Sequence, residues 1–214
     1  MPPKAIIFDF DGVILDSADI KLRAYTTVYA GEDFEKLKTL VEHAQRHGGV
    51  TRRTKFAYYE RELFGRSGDA DSVNVLCRRY AEVVFGAVLK CPFVEGVQQL
   101  LECAIGKIAM HVVSGTPNAE LHQILQERGL AHFFRTIQGA PAIKRDAFDL
   151  IARSERCERR RVLAIGDSMT EYEAANDIGI SFLGIVPTGV GNPFPQEVLI
   201  MPTLRDVKKV LQIK

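Results

Sequence analysis

A chain of 214 residues, 46% hydrophobic and 26% charged, is long enough for one large domain or a core with a smaller insertion, and its composition is that of an ordinary globular protein. Its 28 basic and 27 acidic residues leave a net charge of +1, which gives no argument for nucleic acid or a membrane surface as a partner. With no signal-peptide pattern, no apolar run of membrane length and four cysteines (Cys77, Cys91, Cys103, Cys157) lacking a C-x-x-C pair, a cytoplasmic protein with reduced thiols is expected.

The first element is an apolar strand, Ala5-Ile6-Ile7-Phe8, that runs directly into Asp9 and Asp11. In an extended chain residues two apart share a side, so both carboxylates reach one site at the strand's end, and Gly12 lets the chain turn away. Two unpaired carboxylates repel and resist burial, so the pair calls for a hard cation or a shared proton; an Asp-rich turn is the plainer alternative.

From Ser17 the strand signal stops. Leu22, Tyr25, Val28 and Tyr29 follow helical spacing, as do Leu37, Leu40, Val41 and Ala44. After Gly48-Gly49, Phe56, Tyr59 and Leu63 mark a third helix; beyond the polar turn 65–72, Val73, Leu76, Tyr80, Val83, Val84 and Ala87 mark a long fourth. Residues 16–91 therefore read as a small helical bundle inserted after the first strand. From Pro92 and Gly96 onward helices and strands alternate, the pattern of a parallel sheet. The expected elements are helix 96–103, strand 107–113, a helix opened by Pro117 and ending at Gly129, strand 136–138, helix 145–154, strand 162–166, helix 170–178, strand 181–186 and a last packing helix 204–211.

Three further strand ends carry polar groups. Ser114-Gly115-Thr116 offers a hydroxyl and flexible backbone N–H groups ahead of a helix, suited to a phosphate oxygen. Lys144 brings an ammonium able to neutralise a phosphate, with Arg145 as the fallback. Gly166-Asp167-Ser168 followed by Glu171 suits Mg²⁺, although Ser168 and Glu171 also have the spacing of a capping box. His43 and His47 are spaced i, i+4 but lack a third ligand, and Gly189-Val190-Gly191 reads as a loop beside the site.

Taken in order, FDFDG, VVSGT, a lysine and IGDSMTEYEAANDIGI resemble the four motifs of the haloacid dehalogenase superfamily of phosphohydrolases, over about two thirds of the chain. The insert resembles the small cap of its phosphoglycolate phosphatase and β-phosphoglucomutase branch. The resemblance implies an α/β fold with a Rossmann-like parallel-sheet core, residues 1–15 and 92–214, and a helical cap, residues 16–91. It implies Asp9 as the nucleophile that becomes an aspartyl phosphate, and Asp11 as general acid and base with its backbone carbonyl on the metal. Gly12, Ser114 with the Gly115 N–H, and Lys144 match phosphate-binding positions; Asp9, Asp11, Asp167 and Glu171 match the Mg²⁺ site. Two departures stand out: Glu171 replaces the usual Asp, and the third motif reads Pro141-Ala142-Ile143-Lys144-Arg145 rather than K-P-x-P. In the cap segment 47–55, Arg52 and Arg53 are candidates for reading the leaving group, against the plainer reading of a turn with solvated basic residues. The implied activity is that of a Mg²⁺-dependent phosphatase acting on a small phosphorylated metabolite, as a monomer or weak homodimer. The alternatives are a phosphomutase or a catalytically silent binding protein. Dehalogenation is disfavoured, because it has no leaving oxygen for Asp11 to protonate.

Overall fold

The structure, a computed structural model, describes residues 2–211. Six parallel strands form one sheet in the order β3-β2-β1-β4-β5-β6. They are β1 (Ala5–Phe8), β2 (Ala109–Pro117), β3 (Thr136–Ala140), β4 (Val162–Gly166), β5 (Ser181–Ile185) and the two-residue β6 (Ile200–Met201). All four residues of β1 are buried, as expected of a strand covered on both faces. Alternate residues feed opposite layers. Ile6 and Phe8 pack with α5 (Val97–Ala104) and α6 (Asn118–Glu127), whereas Ala5 and Ile7 pack with α7 (Lys144–Ser154) and α8 (Met169–Ile178).

The strand order reverses at β1, which pairs with β2 on one side and β4 on the other. Open sheets of this kind bind ligands at such a switch point, beyond the carboxyl ends of the strands. In register, Phe8 lies opposite both Val112 and Ile165, so the ends of β1, β2 and β4 arrive side by side.

Between β1 and α5 the chain forms α1 (Ala18–Val28), α2 (Phe34–Arg46), α3 (Arg52–Tyr58) with a π-helical turn at Tyr59–Leu63, and α4 (Ala70–Lys90). An aromatic cluster holds this insert together: Tyr25 stands 4.6 Å from Tyr80 and 5.3 Å from Phe56, centre to centre, and Tyr29 stacks on Phe64 at 4.5 Å. These rings belong to the same apolar cluster as Phe8 and Val112, so the insert shares one core with a face of the sheet.

Four expectations are corrected in detail. Val83 and Ala87 are exposed, because the i, i+4 row of Leu76, Tyr80, Val84 and Val88 is the buried stripe of α4. Pro117 ends β2 in extended geometry and α6 begins one residue later. The helix expected at 204–211 is a single turn, α9 (Val207–Val210). β6 is too short to leave a periodic signal. Among the described residues no helix is long and apolar enough to cross a membrane, and all four cysteines are free thiols.

Candidate active site

The strand ends gather three carboxylates and one ammonium. Asp9 follows β1 directly, is nearly fully buried, and accepts a hydrogen bond on Oδ1 from Lys144 Nζ at 3.1 Å. Burial pushes its carboxyl above the usual range, Lys144 opposes that, and the Asp11 charge adds to it. Asp167, after β4, is pushed up to about 7, by burial first and by Asp9 second. Glu171 comes from the first turn of α8. It is fully buried, and one of its oxygens accepts from the Ser168 N–H at 3.0 Å and from the Ser168 hydroxyl, completing a capping box. Its other oxygen meets Lys144 Nζ. The capping role and the site role are thus both present in one side chain.

Asp9, Asp167 and Glu171 each bring a carboxylate oxygen within 4.8 Å of the others, the one grouping of metal-binding type among the described residues. Three carboxylates, two buried and that of Asp167 partly so, facing one ammonium are an unstable arrangement unless a proton or a cation joins them, and an all-oxygen donor set suits a hard divalent cation. Gly12 makes the approach possible: it sits at φ +76°, and any side chain there would collide with the Asp167 carboxylate.

Asp11 is held differently from Asp9, and its carboxylate is not in this group. Oδ1 accepts from Ser17 Oγ at 2.6 Å; Oδ2 accepts from Thr116 Oγ1 at 3.1 Å and from Lys21 Nζ. Burial raises its carboxyl, but the Lys21 charge and these hydrogen bonds outweigh burial and hold it below the usual range. Lys21, on α1 of the insert, also donates to Thr116 Oγ1 at 2.6 Å. Ser114 is buried, and its Oγ accepts from the Thr116 N–H at 3.1 Å, in an irregular stretch of β2 that starts after Val113.

The insert is seated on these strand ends. Thr170 Oγ1 donates to the Gly48 carbonyl at 2.8 Å. A methyl group placed on Gly115 would lie 2.8 Å from the Gly49 carbonyl oxygen, and one on Gly49 would lie 2.8 Å from Glu171. The glycines at 48, 49 and 115 thus allow two backbones to touch.

The sequence candidates divide here. Asp9, Lys144, Asp167 and Glu171 come together, with Asp11, Gly12, Ser114 and Gly115 around them. Arg145 does not join them; it is exposed beside Asp146 and Asp177. Arg52 and Arg53, expected to face the leaving group, both have protein partners. Arg52 is buried in an ion pair with Glu120 of α6 at 2.7 Å and lies over the Tyr80 ring, tying insert to core. Arg53 is exposed and donates to Asn74 Oδ1 at 2.5 Å. His43 and His47 are stacked at 4.1 Å, with His43 Nδ1 on the Tyr59 hydroxyl and His47 Nδ1 on a backbone carbonyl. Lys55, in the basic segment 47–55, is buried and donates to the Ala44 carbonyl at 3.1 Å. Lys21 and Glu120 were not foreseen, since each is an ordinary helical charge until the insert is packed.

This is an α/β protein whose candidate site lies at the switch point of a parallel sheet, with acids from two strand ends and a lysine from a third connection. Residues 6–185 match the family described as haloacid dehalogenase-like hydrolase, and the chain belongs to that family. Solved structures agree in fold. A predicted phosphoglycolate phosphatase of Haemophilus somnus superposes with a TM-score of 0.73 at 20% identity, over 97% of each chain. The β-phosphoglucomutase of Clostridium difficile gives 0.76 at 18% identity, over 98% of this chain and 96% of that one. YfnB of Bacillus subtilis, solved bound to magnesium and described as revealing interdomain movement, gives 0.73 at 17% identity over the whole of both chains. No curated protein sequence matches the chain.

Proposed function

We propose that this hydrolase is a Mg²⁺-dependent phosphatase that acts on a small phosphorylated metabolite through an aspartyl phosphate on Asp9. The observation that carries the reading is the largely buried cluster of Asp9, Asp167, Glu171 and Lys144, which is badly balanced without a cation and well matched to one. Asp9, Asp167 and the backbone carbonyl of Asp11, with Glu171 in support, would hold Mg²⁺, which would supply positive charge to the phosphoryl oxygens. The residues do the rest. An Asp9 oxygen attacks phosphorus, the bond from phosphorus to the leaving oxygen breaks, and that oxygen takes a proton from Asp11. Asp11 then removes a proton from water, the water oxygen attacks phosphorus, and phosphate leaves as the Asp9 carboxylate returns. Ser114, the Gly115 N–H and Lys144 orient the phosphoryl group, which suits a loose anionic transition state in which positioning matters more than nucleophile strength. With Lys21 in contact, Asp11 is an ionised carboxylate. Loading it with a proton requires the contact with Lys21, a residue of α1 in the insert, to be broken.

The test is a panel of phosphorylated sugars, acids and nucleotides with Mg²⁺, in which free phosphate and isomerised product are measured separately. Phosphate release is the expected result; isomerised product alone overturns hydrolysis in favour of transfer back to the substrate. Asp9→Asn is expected to lower turnover by more than about 100-fold at unchanged melting temperature, because the amide keeps the shape but does not attack phosphorus. A well-folded variant retaining more activity than that removes Asp9 from the nucleophile's place.

A further inference from the structure

The end of the sheet opposite the acids holds a second concave feature, a cleft of about 480 Å³ at the starts of β1, β2 and β3. Each strand start brings a cation to it. Lys4 directly precedes β1, Lys107 stands two residues before β2, and Arg135 directly precedes β3. Backbone hydrogen bonds fix their spacing: the Ala109 N–H donates to the Lys4 carbonyl at 3.1 Å, and the Arg135 N–H to the Met110 carbonyl at 2.8 Å. The one acid in the lining is Glu155, whose side chain is 9% exposed and already engaged, by Arg135 Nη1 at 2.9 Å and by His111 Nε2, which faces it at 3.2 Å. That carboxylate is therefore spent before the two lysines are counted. The Arg135 contact uses Nη1 for both Glu155 oxygens, so the other N–H groups of the guanidinium fork lie outside the pair. Three cations gathered against one shared carboxylate raise the local potential in favour of an incoming anion, and a guanidinium with free edges suits a phosphate. The wall beneath is apolar: Ile108, Met110 and Phe134 are buried there, and the His132 and Phe133 rings, with centres 4.0 Å apart, also line the cleft. An apolar wall with a few polar groups, in a volume between about 300 and 1,000 Å³, is the make-up of a small-molecule site.

We propose that this cleft binds an aromatic phosphate of nucleotide size, with the phosphate on Lys4, Lys107 and Arg135 and the ring against His132 and Phe133. The cleft lies at the far end of the sheet from Asp9, so binding there does not depend on the phosphatase reading. The competing account is that the lysines are solvated residues at strand starts and that Arg135 serves Glu155 alone.

The experiment titrates the full chain, without Mg²⁺ so that nothing is turned over, with AMP, adenosine and inorganic phosphate, and follows backbone amide chemical shifts. AMP is expected to shift residues 105–110 and 131–135 saturably, with a Kd below about 1 mM, and to bind about tenfold or more tightly than either adenosine or phosphate. The double variant Lys4→Gln with Lys107→Gln is expected to raise the Kd for AMP by about tenfold at unchanged melting temperature. The proposal is overturned if AMP gives no saturable shift in those two segments, or shifts only the strand ends around Asp9, Ser114 and Asp167. Adenosine or phosphate binding as tightly as AMP overturns it as well, since the site then reads only one half of the ligand. So does a folded double variant that binds AMP like the wild type, the result that solvated lysines give. The wild-type titrations decide the matter even where the double variant does not fold.

Discussion

The sheet and the insert face each other across the site with opposite charge and opposite means of support. On the sheet side three carboxylates crowd one lysine, and their positions follow from backbone: each acid is the residue after a strand or in the first turn of the next helix. On the insert side stand Lys21, Arg52 and Lys55, placed by helix packing around Tyr25, Tyr29, Phe56, Tyr59 and Tyr80. A parallel strand ladder fixes where a terminal side chain points, so the acid-bearing end is rigidly specified. A packed aromatic cluster is specified by shape instead, which leaves the insert side adjustable by substitutions that do not touch the acids.

The comparison breaks first at the aromatic cluster. Phe56 is fully buried, with ring centres 5.3 Å from Tyr25 and 5.7 Å from Tyr80. Phe56→Ala is expected to cost about 3–5 kcal/mol in denaturant unfolding, from lost transfer energy and the cavity left behind. A loss below about 1 kcal/mol would mean that the rings do not hold the insert.

A smaller effect is expected at the bridge between the two regions. Arg52→Ala leaves Glu120 largely buried without its counter-ion and should destabilise by roughly 1–3 kcal/mol, while the double variant with Glu120→Ala recovers part of that loss. Strictly additive losses in the double-mutant cycle would show that the pair does not couple insert to core.

The smallest effect lies within the sheet and sharpens the contrast from below. His111 of β2 is fully buried, with Nε2 3.2 Å from Glu155, which Arg135 also holds. Burial, opposed by Glu155 and reinforced by Arg135, lowers its proton affinity relative to the unfolded chain. The unfolded chain therefore takes up a proton that the fold resists, and stability is lost as the pH falls through about 6.5. His111→Gln should flatten the dependence of melting temperature on pH between about 7 and 5.5 relative to the wild type. Parallel curves for both proteins would assign the acid sensitivity to other groups.

The alternation of strands and helices, the insertion after β1 and the acids at strand ends were legible in the sequence, because each is a local property. Period-two and helical spacing, a glycine after D-x-D and a helix after G-D-S need no knowledge of distant residues. The periodicity was less sharp at its margins: Val83 and Ala87 fit a helical stripe but lie outside the row that α4 buries. Tertiary structure alone decided the strand order that brings Lys144 to Asp9 across 135 residues of chain. It also decided which basic residues of the insert matter. Arg52 and Arg53 are adjacent in sequence, and packing sends one into an ion pair with a residue 68 positions away and leaves the other on the surface. Lys21 reads as a solvated helical charge until α1 is laid over the strand ends, because burial and partnership of a side chain depend on the elements that cover it, and no local pattern encodes those.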